Sequence, residues 1–365
     1  QTGDIQLNAV VSMNLFISIA QRSFQHKKKV KWFYGSPERE QFQHRFKVSV
    51  QALQGVQRMQ TGRIGVLGGV APTFYNLETD REREKELGLT FVELTMDELQ
   101  QVIQTLTLAE IEQMKQMIVN SATDTKQLPQ TSLLVGAQVL AALCQLVDTY
   151  QIQALAACCW PEFQDVFSIV PCVPFTLLAQ VKGVPVACEG DVGGAVSLLL
   201  AHAISGCQPT LMDVTDISYA ENELLLWHCG IGSGELQSRK QSSIVAHPML
   251  ERKNPARVLM GLSYDYAFRA IPVTLLRYSN HHQLFAMDAN VSENQAGFTG
   301  TRGHIGDFTK SDTAYSVEAV FDTMMSNGIE HHLIICPTHI EEALKEFAEM
   351  MGIPYIEMKQ QAAAW

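Results

Sequence analysis

Two carboxylates and a histidine pair are the residues whose types and placement point to chemistry in this chain. Glu189 follows the apolar run Val184–Cys188 and leads into Gly190-Asp191-Val192-Gly193-Gly194. Asp213 follows the run Thr210–Met212, 24 residues after Glu189, and His331-His332 stands where the run Leu333–Cys336 begins. His228 ends the run Leu224-Leu225-Leu226-Trp227 and precedes Cys229-Gly230. Each run has the composition of a β-strand, so each polar residue is expected at a strand end, where open parallel sheets gather their ligands. Hard carboxylate oxygens with one or two imidazoles suit Mn²⁺, Mg²⁺ or Fe²⁺ better than a thiolate-held Zn²⁺. Such an ion polarises substrate oxygens. The same two carboxylates also make an acid/base pair whose pKa values can be pushed apart. Each residue has a plain structural reading as well: Glu189 and Asp213 as caps or surface acids, the histidines as packed strand-edge groups, Asp191 as an N-cap.

The elements that must position these residues follow from periodicity. Apolar runs alternate with amphipathic stretches over most of the length, the pattern of βα units around a largely parallel sheet. Strands are predicted at Val30–Tyr34, Arg63–Leu67, Thr90–Leu94, Ala154–Ala157, Val184–Cys188 and Thr210–Met212. Helices are predicted at Glu38–Gln54, Met96–Thr105, Leu108–Asn120, Leu133–Thr149 and Val192–Ser205. After about residue 208, short β-rich runs take over at Leu224–Trp227, Val258–Leu262, Ile271–Tyr278 and Leu284–Met287. A last βα unit, Leu333–Cys336 with Ile340–Met351, and a strand at Pro354–Glu357 end the pattern. The fold class is therefore α/β, with doubly wound parallel-sheet domains followed by a β-rich α+β C-terminal domain. Boundaries fall near 60 and 207, giving 1–60 as an N-terminal α/β piece, 61–207 as a central Rossmann-like domain and 208–365 as the β-rich domain.

Composition sets the class of partner. The chain has 365 residues, 46% of them hydrophobic and 18% charged, enough to build more than one core. A net charge of −11 argues against nucleic acid or anionic membrane as the main partner, since both reward clustered Lys and Arg. The one basic run, His26–Lys31, reads as a solvated helix end. Eight cysteines without CxxC spacing fit reduced, buried thiols in a cytoplasmic protein rather than a zinc ribbon or disulfide framework. No apolar stretch is expected to reach the ~18–20 residues that span a bilayer, and no secretory leader is visible. The chain opens on Gln1 in what reads as mid-domain, so an upstream segment is expected, and 360–365 reads as a disordered tail.

Cys159-Trp160-Pro161-Glu162, Pro171-Cys172, Gly183-Val184-Pro185-Val186-Ala187-Cys188-Glu189-Gly190-Asp191 and His228-Cys229-Gly230, in this order and spacing, resemble the L-fucose isomerase and L-arabinose isomerase superfamily. The likeness continues at His331-His332 and Gly352-Ile353-Pro354. In L-fucose isomerases a Glu, an Asp 24 residues later and a C-terminal His hold manganese, which the resemblance carries onto Glu189, Asp213 and His332, the second of the pair. An additional arabinose-type His falls near His228, with spacing that differs by a couple of residues. The resemblance thus implies a metal-dependent aldose–ketose isomerase working through an enediol. Mn²⁺, or Mg²⁺, Fe²⁺ or Co²⁺ in its place, would be the cofactor, and Glu189 and Asp213 would move the proton between C1 and C2. It also implies a trimer or hexamer, and makes 1–60 the remnant of a mostly absent first domain. A chain with fucose-type Asp and arabinose-type His matches neither enzyme fully, and 230–273 departs from the arabinose enzymes.

Three further residues are candidates for substrate binding. Glu162 is placed like a strand-end residue facing the same crevice, with a structural role as its other reading, and Trp160 is expected to stack on a sugar face or else to pack beside Pro161. Arg302 lies in the glycine-rich stretch Gly297–Asp307, read as a loop that closes over substrate or binds an anionic group, or else as mobile surface. Gly62–Val70 lacks GxGxxG spacing and reads as a plain βα turn. Two alternatives stand beside the simple sugar isomerase. One is an isomerase of a sulfonated or phosphorylated sugar, with a cationic pocket around Arg302 or Arg277. The other is a non-catalytic sugar-binding descendant.

Overall fold

Short runs of Ala, Val, Leu and Ile become strands here because both of their faces are covered. In the computed structural model, which describes residues 10–23, 30–126, 128–238, 241–250 and 261–358, β1 (Arg63–Leu67), β2 (Thr90–Leu94), β3 (Ala154–Ala157) and β4 (Val186–Ala187) form a parallel sheet in the order β2-β1-β3-β4. Alternate residues serve opposite layers. Leu155 and Ala157 pack with the long helix α6 (Gln130–Tyr150). Ile64, Val66, Ala154 and Ala156 pack with α9 (Val192–Ser205) and with α2 (Glu40–Thr61). On the α6 side lie α4 (Met96–Thr105), α5 (Leu108–Asn120) and α8 (Cys172–Lys182). Helix α5 begins with a capping box in which Thr107 accepts from the Glu110 N–H and Glu110 from the Thr107 N–H, satisfying two amides a helix start leaves unpaired. By length and composition α6 could cross a membrane, contrary to the expectation that no apolar stretch is long enough. It lies mostly inside, with 67% of its apolar window buried.

The C-terminal half is built on one mixed sheet. β5 (Thr210–Ser218), β6 (Glu223–His228), β9 (Pro272–Tyr278), β10 (Leu284–Val291), β11 (Thr301–Lys310) and β13 (His332–Cys336) run antiparallel in the order β10-β9-β13-β5-β6-β11. A further β10–β11 pairing closes the ring into a barrel, which removes the free edges of these strands. β8 (Ser263–Ala267) and, beyond it, β7 (Ser243–Val245) extend from β11, while β12 (Thr313–Ala314) pairs with β11. Helix α10 (Val317–Ser326) leads to β13, and α11 (Glu341–Met351) packs against α2. The remaining helices are α1 (Val10–Ser23), α3 (Arg81–Glu84) and α7 (Glu162–Phe167).

Several expected elements take another form. Val30–Tyr34 is not a strand; Phe33 instead packs its ring on Phe42 and Phe46 of α2, at 5.9 and 5.6 Å, so ring contacts account for the apolar run. Most of the expected loop Gly297–Asp307 is strand β11, with Thr301, Gly303 and Ile305 turned inward. Gly303 is there for closeness rather than mobility, since a Cβ would come within 2.6 Å of the Phe268 ring. Strand β5 continues to Ser218, so Asp213 lies within a strand rather than at its end. Pro354–Glu357 contributes one bridge, Tyr355 to Leu284. The strand expected at Val258–Leu262, the basic run and the 360–365 tail fall wholly or mostly outside the described residues.

Candidate functional site

Strand β4 ends at Ala187 and the chain turns sharply through Cys188–Gly190 before α9 starts. Glu189 sits in this turn with φ 63°, a left-handed conformation that costs a non-glycine residue roughly 1 kcal/mol, and its carboxylate faces His331 and His332. Its carbonyl accepts the Ala71 N–H at 2.9 Å. Gly190 follows at φ 72°, where a Cβ would lie 2.1 Å from the Gly69 carbonyl oxygen, so only glycine lets the two turns touch. Asp191 then caps α9 through the Gly194 N–H at 2.8 Å.

Asp191 does more than cap. It is fully buried, and Arg277 of β9 donates to both of its oxygens, at 2.5 and 3.0 Å. Arg277 is also buried and donates through Nε to Glu330 at 3.0 Å. The remaining Asp191 contact is His332 Nδ1 at 2.9 Å. Burial by itself pushes Asp191 up, yet the Arg277 charge and the His332 hydrogen bond outweigh it and hold the carboxyl well below its usual range. A carboxylate behind an imidazole fixes the ring and its tautomer, an arrangement common behind metal-binding histidines. Arg277 is thereby spent on Asp191 and Glu330, which corrects its reading as a cationic pocket for an anionic substrate.

The antiparallel register of β13 on β5 sets His332 directly opposite Asp213. His332 Nε2 then lies 3.4 Å from both Glu189 Oε2 and Asp213 Oδ1. Burial pulls its pKa down, but the hydrogen bond to Asp191, the nearby Glu189 carboxylate and the Asp191 and Asp213 charges push it up to about 10. Glu189 is likewise raised by burial and then brought well below the ordinary range by His331, His332 and the His228 charge. His331, the first of the pair and not among the ligands the resemblance implies, brings Nε2 to 3.8 Å from Glu189 and 3.9 Å from Asp213. Its ring stacks on Phe74 at 5.2 Å, and Asn76 Nδ2 lies 3.0 Å from its Nδ1. His228 ends β6 with its ring 5.9 Å from that of His332. Burial keeps it below its usual value despite Asp213 and Glu189.

The donor set fits a divalent ion. Glu189, His331 and His332 form one group whose donor atoms lie within 4.8 Å of one another, and Asp213, His228 and His332 form a second. Glu189 Oε2, His228 Nε2 and His332 Nε2 are buried and meet no hydrogen-bond partner. Buried polar atoms are rarely left so unless a ligand completes them. A proton or a cation held between His332 and two carboxylates satisfies the same electrostatics.

The remaining candidates lie around this cluster. Trp160 contacts Phe74 edge-on at 6.1 Å, and Phe74 in turn stacks on His331, which puts Trp160 on the same wall. Glu162 opens α7 with a buried Oε2 that has no partner. Arg302 is registered with Trp227, Trp227 with Asp213, and Asp213 with His332, so all four belong to one cross-strand row. Two strand spacings put Arg302 about 10 Å from Asp213. Its guanidinium binds Asp265 at 2.7 Å and the Gly300 and Gln295 carbonyls at 3.1 and 3.0 Å. The sequence reading missed a third donor group, Cys172, Cys229 and His247, all buried. His247 is brought down to about 4 by burial and then by the His228 charge. A lone His between Ala246 and Pro248 gives no sequence signal for this.

No protein-family model matches the chain. It is similar to the sulfoquinovose isomerase of Priestia aryabhattai, 24% identical over 366 residues that cover 96% of this chain and 76% of that protein. The sulfoquinovose isomerase of Alkalicoccus urumqiensis is 25% identical over 98% of this chain and 78% of its own. That of Clostridium sp. strain MSTE9 is 22% identical over 88% and 70%. Matches of this extent, all to isomerases, make the chain an enzyme of the isomerase class.

Proposed function

We propose that this enzyme is a divalent-metal-dependent aldose–ketose isomerase, related to the L-fucose and L-arabinose isomerases, whose substrate is a sulfonated sugar. The observation that carries the reading is His332 Nε2, buried and making no hydrogen bond, 3.4 Å from each of two carboxylates. Relatives named for a sulfonated sugar support the substrate class and weigh against a non-catalytic sugar-binding descendant.

Glu189, Asp213 and His332 would hold Mn²⁺, or Mg²⁺, Fe²⁺ or Co²⁺ in its place, which supplies Lewis-acid charge beside the sugar's carbonyl and adjacent hydroxyl. The work of the chain itself is proton movement and positioning. One of the Glu189 and Asp213 carboxylates takes the proton from C2 of the open-chain aldose and returns it to C1, while the hydroxyl proton passes from O2 to O1. The isomerisation therefore needs no external oxidant or reductant. Both carboxylates flank His332 at the same distance, so the base is one of this pair. Asp191 and Arg277 keep His332 in place without touching substrate. Trp160 and Glu162 would contact the sugar from the Phe74 wall. Arg302, about 10 Å along the row from Asp213, has no hydrogen bond on Nη2 among the described residues and would receive the anionic end of the sugar. A homo-oligomer, trimer or hexamer, is proposed on the resemblance alone, and sedimentation analysis tests it.

The deciding assay follows conversion of sulfoquinovose to its ketose with added Mn²⁺, after chelation, and after Mn²⁺ is restored. Turnover that chelation abolishes and Mn²⁺ recovers is expected. Glu189→Gln, with an unchanged circular dichroism spectrum, should lose it by at least ~10³-fold. Turnover indifferent to chelation would remove the metal from the reading. Failure with sulfoquinovose but turnover of an unmodified aldose would remove the sulfonate.

A further inference from the structure

The histidines facing the gap do not present the same kind of nitrogen to it. His332 Nδ1 lies 2.9 Å from the Asp191 carboxylate, an acceptor, so Nδ1 carries a proton and Nε2 is the nitrogen left for an ion. His228 is turned the other way. The backbone N–H of Cys229, which can only donate, reaches His228 Nδ1 at 3.0 Å. The Cys229 Sγ lies 3.3 Å from the same nitrogen. An imidazole whose Nδ1 accepts is neutral and carries its proton on Nε2. That Nε2–H is buried and meets no acceptor in the protein. It has no lone pair to offer a cation.

Resting on the isomerase reading above, we infer that His228 is not a ligand of the ion but the hydrogen-bond donor to the substrate oxygen that gains charge as the enediol forms. The ligand atoms of His228, Asp213 and His332 lie within 4.8 Å of one another, so an oxygen held beside Asp213 and His332 is within reach of the ring. The bond would be weak to a neutral carbonyl or hydroxyl and stronger to the developing oxyanion, which is the condition for raising kcat rather than lowering KM. The Cys229 amide, locked into the strand-end turn, keeps the tautomer fixed through turnover.

Two measurements test this on the full chain. Mn²⁺ titration calorimetry on wild type, His228→Gln, His228→Leu and His332→Gln separates ligand from donor. Both His228 variants should bind one ion with a Kd within about threefold of wild type, whereas His332→Gln should lose at least ~100-fold. Against this background kcat should fall ~10²–10³-fold in His228→Leu and less in His228→Gln, which keeps an N–H near the same place, with KM little changed. A hydroxamate that mimics the enediolate should lose affinity in parallel with kcat, and the matching polyol less than tenfold. A 100-fold loss of Mn²⁺ affinity in His228→Gln overturns the inference, as does undiminished hydroxamate binding in His228→Leu. Should the Leu variant fail to fold, ¹⁵N-histidine spectra of the wild type decide: a proton on Nδ1 of His228 overturns the inference and one on Nε2 supports it. Failure of the isomerase reading is distinct, since it appears as wild type that neither binds Mn²⁺ nor turns over sugar.

Discussion

Changing Asp191 to Asn keeps the shape of the side chain and removes one charge from the centre of the structure. The two oxygens of Asp191 receive hydrogen bonds from Gly194 at 2.8 Å, Arg277 at 2.5 and 3.0 Å, and His332 at 2.9 Å, all inside the core. Breaking a buried ion pair costs about 3–5 kcal/mol because it leaves the partner uncompensated. Glu330 still faces Arg277 at 3.0 Å, which puts the expected loss at the lower end, about 3 kcal/mol. With an unfolding entropy of about 2.1 cal/mol/K per residue over 365 residues, that corresponds to a fall in Tm of roughly 4 °C. Loss of the carboxylate behind His332 should also weaken Mn²⁺ binding ~10–100-fold. Glu330→Gln is the control, since it touches Arg277 and the Asn280 N–H but not His332. It should lower Tm by a similar amount and leave metal affinity within about threefold. Calorimetric melting in chelator and Mn²⁺ titration measure the two effects separately. The reasoning is refuted if Asp191→Asn binds Mn²⁺ as wild type does, or if Glu330→Gln loses metal affinity equally.

Metal binding should be proton-linked. His332 in the metal-free protein is pushed up to about 10, so at pH 7 its imidazole is charged and an ion must displace one proton. Titrations at pH 7 in two buffers of different ionisation heat should report about one proton released per Mn²⁺, with affinity falling about tenfold per unit as pH drops, until other ligands protonate; zero release would mean His332 is not the ligand. The same raised value means that the charged His332 stabilises the metal-free fold below about pH 6.5, and that this share is lost as pH rises through about 10. Metal-free Tm should therefore decline over that interval, and a flat profile would count against the Asp191–His332 pair. Gly190→Ala should lower Tm and abolish turnover, because φ 72° strains alanine and its Cβ would meet the Gly69 oxygen at 2.1 Å. Full activity in that variant would mean the Cys188–Gly190 turn does not set the position of Glu189.

Much of the frame was legible because it rests on local pattern. Thr90–Leu94, Ala154–Ala157, Met96–Thr105 and Val192–Ser205 form as periodicity predicts, since a covered strand or a helix with one apolar face announces itself within its own residues. Val30–Tyr34 and Gly297–Asp307 misled for the opposite reason. An apolar run without a partner strand packs its rings on a helix, and a glycine that makes room for Phe268 looks, in sequence, like a glycine that loosens a loop. The capping role expected of Asp191 holds, but nothing near it in sequence foretells Arg277, 86 residues away, or His332, 141 residues away.

By itself the sequence determined the donor types, two carboxylates with histidines at or near strand ends, and hence the preference for a hard divalent ion over a thiolate-held one. It also determined the turn that carries Glu189, because Gly190 is the residue that permits it. Only the tertiary structure decided how those donors meet. Barrel closure sets the register that puts His332 opposite Asp213, and a slip of one residue would turn every side chain of β13 to the other face. The tautomer of each histidine depends on which group the far side of its ring meets, a carboxylate for His332 and a backbone amide for His228. Those partners come from packing and strand-end geometry, which no local pattern encodes.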